Sequence, residues 1–217
     1  MQIQLIDSPT GRTTAATDAL LALLAWSSLF YLNYFRQNDP WKVSLWSWAF
    51  GLLALGAALG AVAHGFKMST KTNRRLWQPL NLALGLVVAL FTAGVIYDLW
   101  GVSAARQALP WLIGAGLLFF GATQRLAGGF LLFILYQGTA MLFALGAYGW
   151  LAATGQLAGA WLMAVGVSLT LTAAAMQAGR TVSFTFIWQF DHNGVYHLIQ
   201  MMALPALVVG LRAALSA

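Results

Sequence analysis

The sequence predicts an all-α integral membrane protein: a seven-transmembrane helix bundle with its N-terminus cytoplasmic and its C-terminus outside. Three observations lead there. Of 217 residues, 60% are hydrophobic and only 7% charged, with a mean hydropathy of +0.76. A soluble domain covers itself with roughly 25% charged residues, so this chain lacks the means to face water all round. Apolar stretches also recur at the length of about 20 residues that a membrane-crossing helix needs. Finally, the basic residues gather at the ends of those stretches, where they anchor helices and set orientation.

Taken in order, the first segment runs from near Asp18 to Phe35, after a short polar tail. The second runs from about Val43 to Phe66, behind the turn Asn38-Asp39-Pro40. The third covers Trp77 to Trp100, and the fourth, the shortest, covers Ala108 to Thr123 and opens around Pro110. The fifth spans about Gly128 to Ala152, the sixth Leu157 to Ala178, and the seventh Val195 to Ala214, where Pro205 is expected to kink the helix. The connections are short, so consecutive helices pack antiparallel and residues 1–217 form a single membrane domain. Glycines inside the segments, such as Gly56 and Gly60, let helices approach closely. Trp41, Trp46, Trp77, Trp100, Trp150 and Trp188 fall near segment ends and read as interfacial anchors.

Arg12, Lys67, Lys71, Arg74, Arg75, Arg125 and Arg180 collect on one side; Arg36, Lys42, Arg106 and Arg212 lie on the other. That excess places the amino terminus inside and predicts a multi-pass protein of the cell inner membrane. The net charge of +6 is thus orientation rather than a nucleic-acid signal. No basic stretch leads into a short apolar core with a small-residue cleavage site, so no cleaved signal peptide is expected. The absence of cysteine excludes disulfides, thiolate metal sites and cysteine nucleophiles. Any metal is left with nitrogen and oxygen ligands.

The chemistry concentrates in Asp191-His192-Asn193-Gly194-Val195-Tyr196-His197, which holds two of the three histidines. The third, His64, ends the second segment, and alternating spans put both places on the same membrane face. Asp18 and Asn81 open the first and third segments on that face too. Ionisable groups at membrane depth are costly and mark functional sites. Imidazoles are neutral metal ligands, and three of them leave a fourth zinc position for water. His64, His192 and His197 are therefore the candidate metal ligands, with Asn193 competing for the place of His192. On an ideal helix, residues 192 and 197 diverge by roughly 140° and converge only if His192 precedes the first turn. Asn193 and His197, by contrast, share a face. Asp18 and Asp191 are the candidate catalytic carboxyls, as general base or as partners that orient a ligand. Asp191 and Asn193 also suit helix caps. Tyr97 and Asp98 lie at the opposite face and read as an interfacial pair.

Seven spans, a His closing the second and a His-rich entry to the seventh resemble the CREST superfamily of membrane hydrolases. That group includes alkaline ceramidases, progestin/adipoQ receptors and haemolysin III-like proteins. The resemblance implies zinc held by a second-helix His and by a His-x3-His pair on the seventh helix. A Ser four residues before the first His and an Asp near the start of the third helix complete that site. His64 and His197 match two of the ligands, and Tyr196-His197 matches the family's aromatic-His pair. The first His of the pair falls on Asn193, with His192 one place earlier; the Ser falls on Gly60; the Asp has no matching carboxylate. Asp18 or Asp191 stands in for it.

The sequence is therefore expected to encode a zinc-dependent membrane hydrolase cutting an ester or amide bond in a lipid-like substrate. Its partners would be the bilayer and that substrate, with no nucleic acid. The alternatives are a non-enzymatic seven-helix sensor or receptor for a hydrophobic ligand and, behind it, a small transporter.

Overall fold

A computed structural model of the chain describes residues 4–126 and 129–216. The elements are α1 (Pro9–Asn33), α2 (Pro40–Gly65), α3 (Thr70–Arg125), α4 (Gly129–Ala153), α5 (Ala160–Gly179), β1 (Phe184–Thr185), β2 (Gln189–Phe190) and α6 (His192–Ser216). All six helices are long and apolar enough to cross a membrane, which makes this a multi-pass membrane protein. The expected start of one segment at Gly128 lies outside the described residues.

Helix starts follow local capping chemistry. Ser8 accepts from the Gly11 amide at 3.2 Å and Pro9 occupies the first helical position. As a result α1 begins at Pro9 rather than near Asp18, and the threonines expected in a polar tail belong to the helix. Thr13 and Thr17 satisfy their buried hydroxyls on carbonyls one turn back, at 3.1 Å each. Asp39 caps α2 through the Lys42 amide, and Ser69 caps α3 through the Thr72 amide.

The expected third and fourth segments form one element, α3, whose 56 residues include a single non-helical residue, Gly101 (φ 82°, ψ 179°). No atom crowds that position, so glycine is required there by backbone conformation alone. Pro110 lies well inside the helix and does not open it. The chain folds back at Gly101. A methyl group built on Gly85 would sit 2.9 Å from the Gly116 carbonyl oxygen, and the reverse contact is equally tight. On a straight helix those residues would be about 46 Å apart.

Neighbouring helices pack in chain order, and α6 returns to pack on α1, so the bundle closes into a ring. At the end away from the histidines, the Lys42 ammonium meets Asp98 at 2.6 Å, with side-chain exposures of 3% and 1%. Tyr148 donates to the other Asp98 oxygen at 2.9 Å, and Tyr97 donates to Asp39. Tyr97 and Asp98 are therefore not a pair with each other: each is tied to the first turn of α2.

Candidate functional site

The polar end of the bundle is built by α1, α2 and α6. Asp18 lies in the third turn of α1 and is 5% exposed; His197 lies in the second turn of α6 and is 7% exposed. They meet because α6 packs on α1: His197 Nε2 is 3.2 Å from Asp18 Oδ1, and His197 Nδ1 is 3.0 Å from the Thr17 hydroxyl. Asp191 caps α6, its Oδ1 accepting from the Asn193 and Gly194 amides at 3.0 and 3.1 Å. The Thr14 hydroxyl donates to that same oxygen at 3.3 Å, pinning the helix start to α1.

Hydrogen inventory constrains the protonation of the Thr17–His197–Asp18 unit. The single Thr17 proton faces the Thr13 and Thr14 carbonyls, at 3.1 and 2.9 Å. His197 Nδ1 is then the donor to Thr17. At 3.2 Å, Nε2 and Oδ1 are close enough to share one further proton, carried by the imidazole or by the carboxyl. Either way the unit is neutral overall, as a low-dielectric interior demands. The reverse arrangement, with Thr17 donating to Nδ1 and Nε2–H facing Oδ1, is neutral only when Asp18 carries a proton on Oδ2, the oxygen without a hydrogen-bond partner. The other Asp18 oxygen, Oδ2, has no hydrogen-bond partner; among the described residues it shares that condition with Trp46 Nε1 alone of the buried side-chain polar atoms.

Asp18 reaches this position because residue 60 is glycine. A methyl group there would stand 2.8 Å from Oδ2 and 3.0 Å from Oδ1. The carboxyl thus occupies the space that any other side chain on α2 would fill.

A cavity of about 440 Å³ opens over the unit, lined by Asp18, His64, Asn81, His192, Asn193 and His197 among others. Its size falls within the usual range of ligand pockets. Leu21, Leu53, Leu84, Phe133 and Tyr196 line it and also line a further cavity of about 100 Å³ that runs into the apolar core as far as Trp46 and Phe91. One end of this space is polar; the other is hydrocarbon-like.

The structure thus brings five of the expected site residues, Asp18, His64, His192, Asn193 and His197, to one cavity. Asp191 is not among its lining residues and is engaged as a cap. Asn193 accepts a hydrogen bond from Gln177 at 3.1 Å, and His64 packs edge-on against Trp77. Asn193 and His192 both face the cavity, although α6 already begins at His192. Sequence reasoning did not place Thr17, Trp77 or Arg180 at the site. For Thr17 a signal existed, since Thr13, Thr14, Thr17 and Asp18 recur at helical spacing; for the others the sequence carries none.

The donors are of the kind zinc takes, but they do not form a ready metal centre. Among the described residues, no three histidine or carboxylate side chains converge so as to hold an ion. Both His197 nitrogens are engaged by Thr17 and Asp18.

A closed helical bundle with a buried carboxyl–imidazole pair beside a cavity defines a multi-pass membrane protein with a polar site inside its helix bundle. The chain belongs to a family of unknown function, DUF6962, whose model matches residues 13–216. The match takes in all six helices and every residue of the candidate site. No curated protein and no solved structure matches.

Proposed function

We propose that the protein is a membrane hydrolase of the cell inner membrane that cuts an ester or amide bond in a lipid-like substrate. The observation that carries the reading is the cavity itself: a buried Asp18–His197 unit at its polar end and, across a shared wall of Leu21, Leu53, Leu84 and Phe133, an apolar cavity beyond. The folded-back α3 counts as two crossings in this reading. Seven crossings put the termini on opposite faces, and the basic excess on the face of Arg12, Lys67 and Lys71 puts the N-terminus and the site at the cytoplasmic end. An amphiphile enters with its chain toward Leu53, Leu84 and Phe133 and its polar bond beside Asp18.

When the shared proton sits on His197, Asp18 is a carboxylate, and it accepts a proton from a water admitted through the cavity that it lines. The water oxygen bonds to the substrate carbonyl carbon, the C–O or C–N bond breaks, and Asp18 returns the proton to the leaving group. Thr17 holds the imidazole through Nδ1, and the imidazolium offsets the carboxylate charge during the transfer. His64, His192 and Asn193 line the cavity as hydrogen-bonding partners for the substrate. The resemblance to CREST hydrolases supports the reaction class, with the acid coming from α1 and lying over the glycine that replaces the family's serine.

The test is hydrolysis of fluorophore-labelled N-acyl and O-acyl amphiphiles by the protein in lipid nanodiscs. Asp18→Asn and His197→Gln are each expected to lower turnover by about 10²–10⁴-fold, the usual contribution of a positioned acid–base group. Turnover by Asp18→Asn equal to the parent's would refute the assignment. Elemental analysis of the same preparation decides the metal: stoichiometric zinc lost on removing His64 and His197 would replace the metal-free route with a zinc-held one. Tight amphiphile binding with no turnover in the parent would instead identify a receptor for a hydrophobic ligand.

A further inference from the structure

We infer that the β1–β2 hairpin is a lipid-contacting element that enters the headgroup–acyl boundary of the leaflet at the cavity end of the bundle. The hairpin joins the end of α5 to the start of α6, so it sits where two membrane helices leave the bilayer. Its tip, Phe186-Ile187-Trp188, is 82%, 72% and 66% exposed. Three consecutive large apolar side chains held in water would be an aggregation hazard; held at a bilayer boundary they are in their preferred place.

The hairpin is also two-faced. Phe184 pairs with Phe190 and their rings stack at 4.9 Å, whereas Thr185 pairs with Gln189 on the other side of the ribbon. Phe190 is buried and packs on Gly194 of α6, fixing the base while the tip projects. The strand pairing and the bond from the Phe186 amide to the Trp188 carbonyl at 3.2 Å satisfy backbone groups that would otherwise resist leaving water. The ribbon is continuous with the cavity wall on both sides, through Arg180 before it and His192 after it. Lipid held at its tip is therefore lipid beside the cavity.

The absence of native cysteine permits a single spin label per chain. Labels are placed separately at Phe186→Cys and Ile187→Cys in phosphatidylcholine–phosphatidylglycerol vesicles, with Leu118→Cys as a lipid-facing reference and Lys71→Cys as an aqueous one. Collisions with oxygen are expected to exceed those with a water-soluble nickel chelate at 186 and 187, as at 118. The opposite order is expected at 71 and at Thr185→Cys on the polar face. A nickel-dominated reading at both 186 and 187 places the tip in water and overturns the inference. So does protection from both reagents, which means burial against protein, including a second copy of this chain. If one labelled chain fails to fold, the other decides. The readout is independent of any hydrolytic activity.

Discussion

Gly60 acts by what it lacks. Its missing side chain is the space Asp18 occupies, so Gly60→Ala drives a methyl group to within 2.8 Å of Oδ2 and pushes the carboxyl off His197. Losing that buried contact costs about 1–3 kcal/mol. The variant is expected to melt at a lower temperature and to lose at least about tenfold in turnover of a labelled acyl amphiphile, the factor that corresponds to ~1.4 kcal/mol. An unchanged melting temperature would mean that Asp18 has another place to go. His64, His197 and Asp18 could be picked out from sequence because ionisable residues are rare in this chain and expensive in a membrane. The contact between Asp18 and His197 could not, since no spacing rule links the first helix to the last. Nor could the role of Gly60: a glycine in an apolar helix reads as helix packing, and only the neighbouring α1 shows that it makes room for a carboxyl.

Among the elements, α2 is fixed at both ends, by charge at its first turn and by backbone hydrogen bonds at its last. At its first turn Lys42 and Asp98 form a buried ion pair that ties α2 to α3, with Tyr148 adding α4. Lys42→Met removes one charge and strands the other, a change worth about 3–5 kcal/mol. The expected outcome is a marked loss of thermal stability in detergent, largely restored when Asp98→Leu is added; no recovery in the double variant would assign the loss to packing of the lysine stem.

At its last turn α2 is held by the segment before α1. The Ile6 amide donates to the Gly65 carbonyl and the Lys67 amide to the Gln4 carbonyl, both at 2.9 Å, and the Lys67 ammonium pairs with Asp7 at 2.8 Å. The hydrogen bond and charge of Lys67 hold the Asp7 carboxyl below its ordinary value of 3.8. A lowered value means that the pair's contribution is present above that pH and fades as the pH falls below it. Amide protection at Ile6 and Lys67 is therefore expected to drop on acidification below about 3.8, and to lose that pH dependence in Asp7→Asn. The helices themselves were readable from apolar runs, but their boundaries were not: Ser8-Pro9 starts α1 earlier than hydropathy indicates, and at Gly101 the chain reverses without a polar loop to announce it.

At the scale of the molecule, sequence patterning conveyed the class of fold through composition and run length, which report on the solvent each segment faces. What it could not convey was closure. Ring order depends on which apolar faces fit one another, and Leu, Ala and Gly at the surfaces of α1 and α6 look alike until their shapes are brought together. Of the hairpin the sequence marked only Trp188, as an interfacial anchor: Phe184 to Phe190 is too short to span a membrane and too apolar to read as a loop.

Closure through α1 and α6 also sets an order of events during synthesis. Asp18 is among the first membrane-embedded groups to be made, and His197 follows about 180 residues later. At typical elongation rates of about 5–20 residues per second, the interval is on the order of 10–40 s. Throughout it the carboxyl has no imidazole to share a proton with. The nascent chain must keep Asp18 protonated or wet until the last helix arrives, so the final transmembrane segment completes not only the bundle but the neutrality of the first.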